Sequence, residues 1–175
     1  MVGRWWVGGV LVVALVGCGG GGSAVSAASR LPSRPVELRL DGVEACALLG
    51  AEQVRRMGVR AGERAEGGGC RWRDGAMSSY LARLIVDQDA ESVLNSGATR
   101  ENVDIDGFLA VRASAPYVDP KNHCVLAVDV ADGQALWVQW TSLSGGYPGL
   151  SHEVACQRAE EAGRLMLASL RRLSR

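Results

Sequence analysis

Residues 123–142 read "HCVLAVDVADGQALWVQWTS", and this stretch decides the fold. Cys124, Leu126, Val128 and Val130 alternate along the first half, and Leu136, Val138 and Trp140 alternate along the second. A period of two puts each set on one face of a strand. Asp132-Gly133 between the halves is a tight-turn dipeptide, so the stretch predicts a β-hairpin with one buried face. Trp137 and Gln139 then fall on the face opposite Trp140.

Downstream, Ser151 is placed to cap a long helix reaching about Leu173, with Cys156, Ala159, Gly163, Met166, Leu170 and Leu173 as its apolar stripe. Upstream, "ENVDIDG" and "FLAVRAS" (101–114) predict a second hairpin turning at Asp106-Gly107. "AESVLNSG" offers a short helix ending at Gly97. "SSYLARLIVDQ" predicts a strand with Tyr80, Ala82, Leu84 and Val86 on one side. "CRWR" after Gly67-Gly68-Gly69 is a shorter strand, with Cys70 and Trp72 on one face. Asp41 and Glu44 fit a capping box for a helix over "EACALLGAEQVRRMG", closed by Gly58. The order α-β-β-α-β-β-β-β-α predicts a single compact α+β domain, an antiparallel sheet flanked by helices.

The chain opens with Arg4 and an apolar run of 12 residues, Trp5 to Val16. A membrane span needs about 20 such residues, whereas a signal-peptide core has about 7–15. Leu15-Val16-Gly17-Cys18 follows and resembles the bacterial lipobox. That resemblance implies a diacylglycerol thioether on Cys18 and cleavage before it. The expected organisation is a lipoprotein signal peptide over 1–17, a Gly/Ser/Ala-rich tether over 18–35, and an extracytoplasmic domain over 36–175. The expected location is the cell membrane, lipid-anchored on the extracytoplasmic face.

Four cysteines remain, Cys46, Cys70, Cys124 and Cys156, and an even number in an exported chain reads as two disulfides. Three pairings are open. Cys46–Cys70 with Cys124–Cys156 is expected, because nested or crossed pairing makes the two halves interleave. The close C-x-x-C pairs of a thiolate zinc site are missing. Charges balance at 19 basic and 19 acidic residues, and Arg4 is the one charge lost on cleavage, which leaves a net charge of −1. No basic surplus exists for phosphate-backbone contacts, so nucleic acid is not an expected partner.

Side chains capable of chemistry are few. His123 and Cys124 are adjacent on a strand and point to opposite faces. His152 and Cys156 share a helix face, as a thiolate–imidazole pair or half a metal site would; an oxidised Cys156 removes both options. Asn102, Asp104 and Asp106 resemble the front of a calcium loop, but its twelfth position is Ala113 and the bidentate glutamate is absent. Asp87 and Asp89 are paired carboxylates at a strand end with nothing converging on them. Trp137, with Tyr147, is the expected lining of a ligand or partner surface, its alternative being burial under a helix. No cofactor, metal site or catalytic constellation is expected.

Cys46-Ala-Leu-Leu49, Cys70-Arg-Trp72, Gly107-Phe-Leu-Ala110, Cys124 and Cys156-x-x-Ala159 follow the lipobox in that order. In this the chain resembles a family of small actinobacterial lipoproteins catalogued as domain of unknown function 3558, over nearly all of its length from Glu37. Glu44-Ala45 stands where that family has Asp-Pro. Lys121 is the only lysine, an arginine-heavy usage that suits a GC-rich organism. A more distant similarity, of fold alone, is to two-disulfide extracellular sensor domains of actinobacterial kinases. The resemblance implies an envelope location and brings no activity. The expected function is a non-enzymatic domain binding a small ligand or another envelope protein. The alternatives are a sensor or accessory subunit of a membrane signalling or transport complex, and an envelope enzyme using acidic residues such as Asp87 and Asp89.

Overall fold

The computed structural model describes residues 34–75, 78–94, 99–114, 118–143 and 149–174. Seven strands form one sheet: β1 Glu63–Arg64, β2 Cys70–Arg73, β3 Ser78–Ile85, β4 Arg100–Ile105, β5 Phe108–Ala113, β6 His123–Ala131 and β7 Gln134–Ser142. Their spatial order is β1-β2-β3-β7-β6-β5-β4, antiparallel throughout. Among the described residues the α-helices are α1 Ala51–Met57, α2 Ala90–Val93 and α3 His152–Leu173.

The hairpin of residues 123–142 forms the centre of this sheet. Cys124 faces Trp140, Leu126 faces Val138 and Val128 faces Leu136, all on the side covered by α3. Gly133 takes φ +66° at the turn, and a register shift between Asp129 and Ala131 lets the strands enter it. The second hairpin turns at Asp106 (φ +54°) and Gly107 (φ +85°), the two positive φ values that a type I′ turn requires.

Helix α3 starts where Ser151 Oγ accepts from the Val154 amide at 3.2 Å. Its Cys156, Ala159, Ala162, Met166 and Leu170 are fully buried against Leu126, Val138, Trp72 and Phe108 in one core. A Cβ on Gly163 would lie 2.8 Å from Leu126 Cδ2, so the missing side chain brings helix and sheet together. Leu173, read from the sequence as part of the stripe, is instead 54% exposed at the frayed end.

Both expected disulfides are present, Cys46–Cys70 and Cys124–Cys156, with sequence separations of 24 and 32 residues. On the chain-entropy estimate each stabilises by roughly 3–4 kcal/mol. The second joins β6 to α3. The first joins β2 to a single 3-10 turn, Ala45–Leu48, rather than to a full helix.

The first helix is thus shorter than its spacing predicts. Leu48 and Leu49 are both buried, at 0% and 4% exposure, Leu48 from the 3-10 turn and Leu49 from the extended residue that follows it. The backbone extends at Leu49 and restarts at Gly50, whose amide donates to Gln53 Oε1 at 2.8 Å. Gly58 closes α1 in the left-handed conformation, as expected. Asp41 is no helix cap; it accepts from Gln134 Nε2 at 2.9 Å, a bond that holds its carboxyl below the ordinary value of 3.8. Strand β1 is an addition that two residues cannot announce in a sequence. Val86 lies past the end of β3 and is 51% exposed.

Ahead of these elements runs an extended segment. Leu38 and Leu40 are buried, with their amides donating to Val130 O and Gln134 Oε1, each at 2.8 Å. Arg34, placed by the sequence reading at the end of the tether, ion-pairs with Asp129 at 3.3 Å and with Asp132. On the α3 side, Arg112 gathers Glu101, Glu153 and Glu160 and ties the β4–β5 hairpin to the helix.

Candidate functional site

Parity divides the sheet. Even-numbered side chains of β2, β3, β5, β6 and β7 face α3, and odd-numbered ones face away. On this second face β7 presents Ala135, Trp137, Gln139 and Thr141 opposite Ile85, Arg83, Leu81 and Ser79 of β3. Strand β2 adds Arg71 opposite Leu81 and Arg73 opposite Ser79. Among the described residues the helix packed here is α2, four residues long, lying on β5, β6 and β7. It forms a small second core from Ala90, Leu94, Val111, Ala113, Val125, Ala127 and Ala135.

Trp137 sits at the margin of that core, half-buried. It is therefore partly under a helix and partly available, between the two readings its sequence position allowed. The Arg83 guanidinium lies over its ring, 5.5 Å from the centroid. Such stacking contributes about 0.5–1 kcal/mol at an accessible site and fixes the plane of the arginine. Arg83 Nε is buried with no hydrogen-bond partner, and no carboxylate among the described residues lies within ion-pair reach of Arg83. A buried donor without an acceptor costs roughly 1–3 kcal/mol. Arg71 likewise has no carboxylate partner among the described residues, whereas Arg73 is paired with Glu63.

Beside Arg71 a cleft of about 260 Å³ opens between β2, β3 and β7, lined by Arg71, Arg73, Asp74, Ser78, Ser79, Thr141 and Leu143. Gln139 Nε2 donates to Thr141 Oγ1 at 2.7 Å, which orients the amide over the same strand. The far end of the face has the opposite charge. Asp129 is pushed above its ordinary 3.8 by burial, against the pull of Arg34 and aided by Asp89, Asp132 and Glu91. Arginines without counter-ions thus stand over β2 and β3, and carboxylates over the β6–α2 end.

The remaining candidates have structural places. Asp89 caps α2, its carboxylate accepting from the Ser92 amide at 2.7 Å; that bond keeps its pKa below 3.8. Asp87 is an exposed neighbour with no such contact. Cys156 is oxidised, so its pair with His152, 3.6 Å from Sγ to Nε2, is a packing contact against the disulfide. The imidazole also meets Ser114 Oγ at 3.2 Å and Pro120 O at 3.2 Å, joining the 114–120 connection to α3. His123 is buried on the second face, 4% exposed, and its pKa is lowered by burial and then by His152. Asp104 and Asp106 shape the β4–β5 turn, Asp104 Oδ1 accepting from the Gly107 amide at 3.0 Å. Among the described residues no group of three or more His, Cys, Asp or Glu is arranged to hold a metal. Cys18 and Tyr147 lie outside the described residues.

Gln139 was placed on this face from the sequence, whereas Arg71, Arg83, Ser79 and Thr141 were not singled out. The signal was there: once Tyr80 and Ala82 are assigned to the core, parity sends Ser79, Leu81 and Arg83 to the other face.

The family model described as "Protein of unknown function (DUF3558)" matches residues 13–169. The chain belongs to this family. The DUF3558 match takes in the lipobox-like residues, all four domain cysteines and the whole second face. No curated protein matches the chain, and no solved structure does.

Proposed function

We propose that this DUF3558 member is an actinobacterial lipoprotein, acylated at Cys18, whose domain stands outside the cell and binds a ligand or envelope partner on the second face of its sheet. Catalysis has no part in this reading. The observation that carries it is the contrast between the two faces: one is sealed by the 22-residue α3, the other is covered by a four-residue helix and presents a stacked Trp137–Arg83 pair and a cleft lined by Arg71, Ser79 and Thr141. An antiparallel sheet commonly leaves one face to solvent, but that face ordinarily carries paired charges and short polar groups. A tryptophan and two arginines without counter-ions among the described residues are costly there and are the residue types that dominate binding surfaces. The lipobox resemblance and the paired cysteines support an extracytoplasmic setting.

The test is crosslinking in intact cells from a photoreactive residue at Gln139, compared with one at Arg158 on the outer surface of α3. A specific adduct from position 139 that is lost in Trp137→Ala supports the reading. Identical adducts from both positions, or none from position 139, would contradict it.

A further inference from the structure

We propose that Arg71 and Arg83 together receive a phosphate group, so that the ligand of the second face is a phosphate ester of a small polyol. The inference rests on the binding-face reading above and specifies its chemistry.

Arg71 and Arg83 lie on adjacent strands of one face, Arg71 opposite Leu81 and Arg83 two residues further on. Diagonal neighbours of this kind are separated by roughly 7–8 Å, within the combined reach of two long side chains around one oxyanion. Both are half-buried, and neither meets a carboxylate among the described residues. Arg83 is held in a fixed plane by Trp137, and its Nε lacks an acceptor. Trp137 is thus a positioning residue for the guanidinium. Each guanidinium offers five N–H donors in a rigid fork. A carboxylate has two oxygens and satisfies one fork, whereas a phosphate monoester has three terminal oxygens and up to two charges, enough for both.

The glycine loop packs along the Arg83 side chain. A Cβ on Gly67 would stand 3.6 Å from Arg83 Nη2, and one on Gly69 2.9 Å from Arg83 Cγ. Next to Arg71, the 260 Å³ cleft is lined by Ser79, Thr141 and Asp74, whose carboxylate accepts from the Ser78 amide and hydroxyl; the phosphate belongs with the arginines, and these polar groups suit the hydroxyls of a small polyol. The same phosphate chemistry is offered by a soluble ester and by a phospholipid headgroup.

The test follows the arginine Nε–Hε resonances of the full-length protein in detergent during titration with glycerol 3-phosphate. The expected result is a saturable shift of the Arg71 and Arg83 signals. Arg71→Gln and Arg83→Gln should each weaken affinity at least tenfold, and Arg55→Gln on α1 should leave it unchanged. A saturable shift of the same signals when phosphatidylglycerol but not phosphatidylcholine is added to the detergent, lost in both variants, assigns the headgroup. Response to the soluble ester alone assigns a free ligand. Shifts matched by sodium chloride at equal ionic strength, or affinity unaltered in both variants, would overturn the proposal. A neutral partner captured at position 139 together with no phosphate response would also overturn it, leaving the binding face itself in place.

Discussion

Gly69 shows how closely single residues are constrained beside the proposed site. Its φ of +92° lies in the left-handed region, and a Cβ there would collide with the Ala82 carbonyl oxygen, which is backbone and cannot move aside. Gly69→Ala should therefore destabilise the protein by about 2–4 kcal/mol, combining backbone strain with overpacking. Urea unfolding at neutral pH measures this, and Gly68→Ala is the comparison: it shares the φ of +92° but meets nothing within 4 Å. The sequence marked Gly67–Gly69 as a break without distinguishing the three, because the difference lies in a β3 carbonyl distant in the chain. Trp137 was legible through parity alone. Its partner Arg83 was not, because the ring that holds it belongs to another strand.

At the scale of elements, the two hairpins and α3 were legible because each carries its own period, turn and cap. The first helix was read too long because Cys46, Leu49, Val54 and Met57 keep a helical spacing across Leu49-Gly50, where the backbone is extended and a second helix begins. The two disulfides differ in a way that only packing reveals. Cys124 and Cys156 are both 0% exposed beneath α3, whereas Cys46 is partly exposed and lines a cleft of about 450 Å³ with Arg64, Gly68 and Leu84. Thiol–disulfide exchange needs access to the attacked sulfur. Graded treatment with a reductant under native conditions should thus open Cys46–Cys70 first, with alkylation at Cys46 and Cys70 preceding any at Cys124 or Cys156. Simultaneous labelling of all four would mean that the molecule opens globally before either bond is reached.

For the whole molecule, two largely buried groups pull the pH dependence of stability in opposite senses. His123 is depressed below 6.5 by burial, so the unfolded chain takes up its proton first. Stability is full above 6.5 and falls as pH drops from there through the folded value. Asp129 is raised above 3.8, so the folded state binds its proton more readily and stability is lost as pH rises from 3.8 to the folded value. His123→Gln should flatten the decline below 6.5, and Asp129→Asn should remove the acid-side recovery and steepen it. Denaturant titrations from pH 4 to pH 8 read both. The fold class and the order of most elements could be read in advance, since they follow from period and parity, and the cysteine pairing because the alternatives would interleave the two halves. The charge segregation of the second face could not, since it needs the order β2-β3-β7-β6, which sets residues of distant segments side by side.

The measurement that bears most directly on the account is intact-mass analysis of the protein extracted from membranes of cells expressing wild type and Cys18→Ala. The account predicts a wild-type chain beginning at Cys18, heavier by acyl groups, lighter by four hydrogens for two disulfides, and unlabelled by a thiol reagent. It also predicts that Cys18→Ala leaves the membrane fraction or keeps residues 1–17. A wild-type chain that retains residues 1–17, or one with four free sulfhydryls, would contradict it.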